Sequence, residues 1–153
     1  MIRHHARLTE LRPRLLNVSL SGAAGTLSVM EGKGSEVRAA MARDLGLNDP
    51  GGSWHSTRDT MTELAGWLTM LTTSLGKMGE DLIWLSQSGI AEVGLGGGGG
   101  SSTMPQKQNP VAPSLLVTLA RVQAGLNAAM QGAGLHRQQR DATAWFTEWM
   151  VLP

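Results

Sequence analysis

The chain has 153 residues, the length of one domain, a formal net charge of +1 and only 16% charged residues. No basic block or aromatic–basic interleaving occurs, which disfavours nucleic acid as a partner. The absence of cysteine excludes disulfides and thiolate metal sites. No signal-peptide pattern and no 18-residue apolar run are present, so we expect a soluble cytoplasmic protein without a membrane partner.

Apolar residues recur at steps of three and four through most of the chain, which predicts an all-α, long-helix bundle. The first helix carries Leu8, Leu11 and Leu15, and Pro13 should end or kink it. Ser35 is predicted to cap a helix that runs to about Leu45. No segment alternates with a period of two, so no sheet is expected.

The longest predicted helix runs from about Ser56 to Ser88, and another begins near Pro110. Their apolar stripes are Leu64, Leu68, Leu71, Leu75, Met78, Leu82 and Leu85 in the former and Leu115, Leu119, Val122, Leu126 and Ala129 in the latter. Trp67 and Trp84 lie off the first stripe, which favours burial among many neighbours and predicts an oligomer. An ordinary four-helix bundle with a wide apolar face is the alternative.

Between these helices, residues 94–109 cannot be helical, because six glycines stand at positions 94 and 96–100. Hydroxyl, ammonium and amide groups follow at Ser101, Ser102, Thr103, Lys107 and Asn109. Such a set beside a helix start can bind an anion such as a carboxylate, and a mobile serine can transfer protons. A flexible glycine–serine linker is the plain alternative.

The segment Gly100–Pro110, GSSTMPQKQNP, resembles the signature G-S-S-x-M-P-x-K-x-N-P of the fumarase/aspartase superfamily and matches every fixed position. The resemblance implies the central helical domain of a homotetramer whose active sites are each shared by three subunits. It implies that Ser101 transfers a proton, and that Lys107 and Asn109 hold a substrate carboxylate. The remaining substrate-binding positions that it implies in the loop are Ser102, Thr103 and Met104.

The same resemblance implies a domain organisation. Residues 1–153 form part of the central bundle, and residues 94–109 form its mobile active-site loop. The upstream segment with its Thr-His pair and the small C-terminal domain of the superfamily are not in the sequence. The chain therefore resembles a piece of a longer protein with an abrupt end and no terminal helix.

Three further stretches are similar to the 3-carboxy-cis,cis-muconate cycloisomerase branch: 21–27 (SGAAGTL), 54–59 (WHSTRD) and 145–153 (WFTEWMVLP). Ser114 stands where fumarases and adenylosuccinate lyases carry a Glu that pairs with a catalytic His. Trp145 and Trp149 replace a phosphate-binding Ser and Arg, which disfavours a nucleotide substrate. Gln106, Gln108, Thr57 and Phe146 depart from the cycloisomerase pattern and leave the substrate open.

Outside the loop, Arg58 and Arg140 are candidate ligands for substrate carboxylates. The alternatives are a surface pair of Arg58 with Glu63 and a solvated helix end for Arg140. His55 is either an acid–base group or a packed imidazole. His4, His5 and His136 lack metal-ligand spacing, and neither a metal nor an organic cofactor is expected.

The predicted reaction is an intramolecular lactonisation, in which a carboxylate of a small tricarboxylate adds to a conjugated double bond. In reverse this reaction is a β-elimination, which suits a lyase scaffold. A fumarate-releasing lyase, including one similar to adenylosuccinate lyase, is one alternative. The other is a non-catalytic helical piece that serves oligomerisation.

Overall fold

The computed structural model describes residues 1–96, 99–104, 106–137 and 141–152. These residues contain five α-helices and a two-stranded ladder: α1 (Ile2–Leu15), α2 (Gly34–Leu45), α3 (Asp59–Leu85), β1 (Gly99–Gly100), β2 (Gln108–Asn109), α4 (Val111–Gly132) and α5 (Ala142–Val151). The all-α prediction is confirmed. Within the same residues, no helix is both long and apolar enough to cross a membrane.

The chain divides into two compact units, of which the first comprises Met1–Trp67 and Asn127–Pro153. Its core is formed by Ala65, Met130 and Ala133, with Met61, Val151 and Leu152 packed against it. Small residues at 65 and 133 let helix backbones approach, and Met130 fills the space between them.

The end of α1 is joined to the loop after α2 by backbone hydrogen bonds. Asn48 N–H donates to Leu16 O, and Val18 N–H donates to Asn48 O, each at 2.9 Å. Gly46 ends α2 at φ +66°, a left-handed conformation that glycine adopts without strain. Trp54 Nε1 donates to Val18 O at 2.9 Å, which fixes the segment that leads into α3.

The second unit, Leu68–Leu126, pairs the later part of α3 with the earlier part of α4. A Cβ on Gly76 would lie 2.7 Å from Ala120 Cβ, and one on Gly79 would lie 2.6 Å from Pro113 O. From Gly76 to Gly79 along α3, the contact on α4 moves back from Ala120 to Pro113. The two segments therefore run antiparallel. Glycine at these positions permits a close backbone approach.

Several predictions about the helices need correction. The long helix spans 27 residues, about 40 Å, rather than 56–88. Pro13 does not end α1, which continues to Leu15. α2 begins at Gly34 without a side-chain cap, so Ser35 is not its cap. The expectation that the chain lacks a terminal helix is wrong, since α5 reaches residue 151.

The predicted stripe on α4 packs within the described residues only at its end, where Leu126 and Ala129 are half-buried. Leu115, Leu119 and Val122 are each at least half exposed. The residues of α4 that meet the α3 glycines are instead Pro113, Leu116, Val117 and Ala120. The heptad spacing therefore marks a second apolar face of α4, which other residues of the described chain leave open.

Candidate functional site

A short antiparallel ladder closes the neck of the glycine-rich loop, which overturns the expectation of no sheet. Gly99 pairs with Asn109 and Gly100 with Gln108. Asn109 Nδ2 also donates to Gly99 O at 3.2 Å. A Cβ on Gly99 would lie 2.8 Å from Val111 Cγ2, so a larger residue would require the Val111 side chain at the start of α4 to shift. The ladder therefore fixes both ends of the stretch between the strands, residues 101–107.

Ser101 is oriented by backbone donors of its own loop. The N–H groups of Thr103 and Met104 approach Ser101 Oγ at 3.4 and 3.2 Å. Donors aimed at this oxygen would stabilise an alkoxide more than a hydroxyl, which favours proton release from the side chain. The Ser101 side chain is half-buried, whereas its neighbours at the loop tip are exposed.

The other loop candidates lie within the same hairpin. Ser102, Thr103, Met104 and Lys107 are exposed, and Lys107 N–H donates to Met104 O at 2.9 Å in a turn. Asn109 uses one amide N–H to close the neck, which leaves its second N–H and its carbonyl oxygen for further partners. These candidates therefore belong to one hairpin, in which Asn109 lies half-buried at the neck and the others are exposed beyond it.

Arg58 lies immediately before α3 and is held by partners in the first unit. Its Nε lies 3.0 Å from Glu148 Oε2, an ion-pair distance, although the N–H is not aligned for a hydrogen bond. Its Nη2 donates to His55 O. The Arg58 and Glu148 side chains are 7% and 14% exposed. This buried pair ties the segment before α3 to α5.

The suggested surface pair of Arg58 with Glu63 is wrong. Glu63 pairs with Arg14, whose Nε donates to Glu63 Oε2 at 3.0 Å. The hydrogen bonds from this guanidinium lower the pKa of the Glu63 carboxyl below its ordinary value. Arg58 is consequently free of Glu63 and committed to Glu148, a partner 90 positions away that helical spacing could not indicate.

His55 is anchored by a chain of hydroxyl groups that the sequence analysis did not identify. Ser53 Oγ lies 2.7 Å from His55 Nδ1 and donates to Ser21 Oγ at 2.8 Å. Trp145 Nε1 donates to His55 O at 3.3 Å. Ser21, His55 and Trp145 come from the three stretches that the family resemblance had already singled out, and Ser53 directly precedes one of them, which was the available signal.

Arg140 lies outside the described residues. Next to it, Asp141 caps α5 by accepting a hydrogen bond from Thr143 N–H at 3.0 Å. A hydrogen bond from Arg137 N–H is the largest of the influences that lower the pKa of the Asp141 carboxyl. Among the described residues, no group of three or more His, Cys, Asp or Glu side chains could hold a metal ion.

Comparison with known proteins now decides the family. The family model described as Lyase matches residues 1–125, which is most of the chain. The chain belongs to the fumarase/aspartase lyase family.

The chain is similar in sequence to relatives that are named for different reactions. The 3-carboxy-cis,cis-muconate cycloisomerase of Pseudomonas aeruginosa is 41% identical over 100% of the chain and 34% of that relative. The N-acetyl-S-(2-succino)cysteine lyase of Dickeya dadantii is 35% identical over 99% of the chain and 34% of that relative. The crystal structure of the 3-carboxy-cis,cis-muconate lactonizing enzyme from Pseudomonas putida matches at 37% identity and a TM-score of 0.87.

The match to that crystal structure covers 98% of the present chain and 33% of the crystallised enzyme's chain. The chain thus spans about a third of the length of the curated relatives that it matches. This third includes the loop that carries Ser101 and the buried pair of Arg58 with Glu148. Each of the two lies within a single compact unit.

Proposed function

We propose that the protein is a cycloisomerase that converts 3-carboxy-cis,cis-muconate to a carboxymuconolactone, in the catabolism of aromatic compounds. The observation that carries the proposal is the loop whose Ser101 Oγ receives two backbone N–H donors. The similarity to cycloisomerases across the whole chain supports the choice of substrate.

The reaction forms one C–O bond and one C–H bond and releases nothing. A carboxylate oxygen of the substrate attacks the distal carbon of a conjugated double bond, and the displaced π electrons move onto another carboxylate as an enolate. Ser101 gives its proton to the adjacent carbon, so the enolate returns to a carboxylate and the lactone product is complete. The backbone donors to Ser101 then hold the alkoxide until a proton from solvent restores it.

Substrate binding is assigned to the cations and hydroxyls around the loop tip. Lys107 is exposed and supplies a positive charge that stabilises the enolate more than the ground state. Asn109 can donate its second amide N–H to a substrate carboxylate, since only one of the two closes the neck. Ser102, Thr103 and Met104 offer hydroxyls and an apolar contact. Outside the loop, Arg58 is proposed to meet a substrate carboxylate through Nη1, since Nη2 donates to His55 O and Nε pairs with Glu148.

The proposal includes a homotetramer with shared active sites. Its support is the second apolar face of α4, on which Leu115 is 54% and Val122 51% exposed. An apolar face of this length on a long helix is costly in water and suits burial against another helix. Light scattering of the intact protein would measure the assembly directly.

A fumarate-releasing lyase is the second candidate. The identity to a succinocysteine lyase, 35% over nearly the whole chain, is close to that of the cycloisomerases and favours keeping it. The loop chemistry is common to both reactions, because a serine that protonates a carbon can also remove that proton. Only the identity of the substrate distinguishes the cycloisomerase from the lyase.

The test is an ultraviolet assay on the intact protein for loss of the muconate diene. We expect Ser101→Ala to lower turnover by about 100- to 10,000-fold, because it removes the proton-transfer group, while helical content stays unchanged. Ser88→Ala, at an exposed serine after α3, is the matched control and should keep parental turnover. Unaltered lactonisation by Ser101→Ala would refute the assigned role, and absence of diene loss in the parent would favour the lyase.

A further inference from the structure

Arg38, on α2, is a nearly buried arginine that has no part in the proposed reaction. Its side chain is 9% exposed, and its Nε donates to Asp49 Oδ1 at 2.5 Å. Its terminal nitrogens, Nη1 and Nη2, form no hydrogen bond with any described residue, and both remain accessible to solvent. A guanidinium is always charged, and a charge in a nearly buried position is costly unless it is fully paired. The free edge of Arg38 therefore needs an explanation.

Asp49 orients this guanidinium without covering its outer edge. Asp49 Oδ1 accepts from Arg38 Nε and also from Gly51 N–H, the latter at 2.9 Å. The hydrogen bond from Arg38 is the largest of the influences that lower the pKa of the Asp49 carboxyl. The N–H groups of Nη1 and Nη2 are not used in this pair. One carboxylate thus holds Arg38 in place and leaves two of its nitrogens for a second anion.

Arg38 lines a cavity of about 330 Å³ beside the start of α2. Among the described residues that line this cavity, Arg38 is the one with a charged side chain, and Asp49 is not part of the wall. The hydroxyl residues Thr26, Ser28 and Ser35 line it as well. The cavity therefore offers a positive charge and hydroxyl donors, and no carboxylate of its lining competes with a bound anion.

The first turn of α2 forms part of the same wall. This 12-residue helix has Lys33 as its N-cap residue, and no side chain caps it. The backbone N–H groups of Gly34 and Ser35 have no acceptor within the helix, and both residues line the cavity. A Cβ on Gly34 would lie 2.5 Å from Leu27 Cβ, so glycine lets the preceding loop pack closely against the helix start. Helix-start donors and the Arg38 guanidinium therefore line one space.

We propose that this cavity binds a phosphate group, to which Nη1 and Nη2 of Arg38 and the first N–H groups of α2 donate. Phosphate suits donors on several sides because its oxygens are arranged tetrahedrally, whereas the two oxygens of a carboxylate lie in one plane. The cavity is larger than phosphate alone, so a small phosphomonoester also fits. The acidic residues near the helix start, Glu31 and Glu36, are exposed and do not line the cavity.

Titration calorimetry of the intact protein, at constant ionic strength in chloride, tests this site. The probes are inorganic phosphate and glycerol 3-phosphate, and we expect a Kd on the order of 1 mM or tighter for at least one of them. Tricarballylate, which carries carboxylates and no phosphate, should not displace the bound phosphate. No residue of the site was assigned to lactonisation, so the measurement is independent of the proposed reaction.

Replacement of Arg38 removes the central donor. Arg38→Met should weaken phosphate binding about 10-fold or more, because a charged hydrogen-bond donor is lost. Arg38→Lys keeps a charge beside Asp49 but lacks the planar fork, so its affinity should also fall below that of the parent. Arg43→Met makes the same change of charge at an exposed arginine in the last turn of α2, and it should leave the affinity unchanged.

A replacement of Ser35 tests the site while leaving the pair of Arg38 with Asp49 intact. A carboxylate in the first turn of a helix is favourable for folding, so Ser35→Asp should keep or raise Tm. At the cavity wall the same carboxylate repels a bound anion, so phosphate affinity should fall about 10-fold or more. Ser35→Ala, which adds no charge, is the control and should keep most of the affinity.

The outcomes distinguish the source of the phosphate group and can overturn the site. Tighter binding of glycerol 3-phosphate would identify a phosphomonoester as the ligand, and equal or tighter binding of inorganic phosphate would identify the free ion. Absence of binding of both probes by the parent would overturn the proposal. Unchanged affinity in Arg38→Met or in Ser35→Asp would also overturn it, as would displacement of phosphate by tricarballylate.

Discussion

Two glycines of α3 provide a direct test of how closely α3 and α4 pack. Gly66 and Gly79 both lie inside this helix, so replacement by alanine gains about 1 kcal/mol of helix propensity at each. A Cβ at position 66 would meet nothing within 4 Å, whereas one at position 79 would lie 2.6 Å from Pro113 O and 3.1 Å from Leu116 Cβ. The two substitutions differ only in what the methyl group meets.

The expected effects have different signs. Gly66→Ala should stabilise the fold by about 1 kcal/mol. At Gly79 the obstructing atom is a backbone oxygen, which cannot rotate away, so overpacking costs about 1–3 kcal/mol and outweighs or cancels the propensity gain. Because propensity is common to both, the difference between the two variants, about 1–3 kcal/mol, is the packing cost itself.

Thermal unfolding followed by far-ultraviolet circular dichroism measures this difference. A domain of this size shifts in Tm by about 2–4 °C per kcal/mol, so the two variants should melt at least a few degrees apart. In the intact protein, Gly79→Ala should also lower turnover, since Pro113 lies in the first turn of α4 next to the loop neck. Equal stabilisation by both alanines would refute the close approach.

Two electrostatic predictions concern α5. Glu148→Gln should lower the free energy of unfolding in urea by about 3 kcal/mol, because it leaves the buried Arg58 without a counter-charge. The control Glu63→Gln breaks an exposed pair with Arg14 and should change this free energy far less. Asp141→Asn should lower Tm at neutral pH. The pKa of Asp141 is lowered in the folded state, so its contribution is complete above the unfolded pKa near 4 and is lost as the pH falls through the folded value. Parent and Asp141→Asn should therefore converge in acid, and a constant difference between them would contradict this.

The helical architecture and the loop could be predicted from the sequence because both depend on local information. Apolar spacing indicated α3 and α4, and the run from Gly100 to Pro110 matched a specific signature. The two-residue strands that close the loop carry no periodicity, since a pairing of Gly99 with Asn109 depends on where α4 places Val111. No local pattern could indicate this ladder.

The partners of Arg58 and His55 were also beyond sequence reasoning. Glu148 meets Arg58 only because α5 folds back within the first unit, and neither residue has a helical spacing that relates it to the other. Likewise, the contact of Ser21 with Ser53 joins two loops that are 32 positions apart. The sequence motifs marked these segments as family features, but their contacts required the tertiary fold.

The two faces of α4 connect the loop chemistry to the proposed assembly. One face packs on α3 so closely that Gly79 has no room for a methyl group, and this contact fixes where the helix starts and the loop neck closes. The other face, with Leu115, Leu119 and Val122 exposed, is not covered by any of the described residues. If subunits cover it as proposed, a polar replacement such as Leu119→Lys should dissociate the assembly and lower turnover in parallel, because Ser101 would lose any part of the site that a neighbouring subunit supplies. Dissociation with full activity would instead mean that each subunit completes its own site.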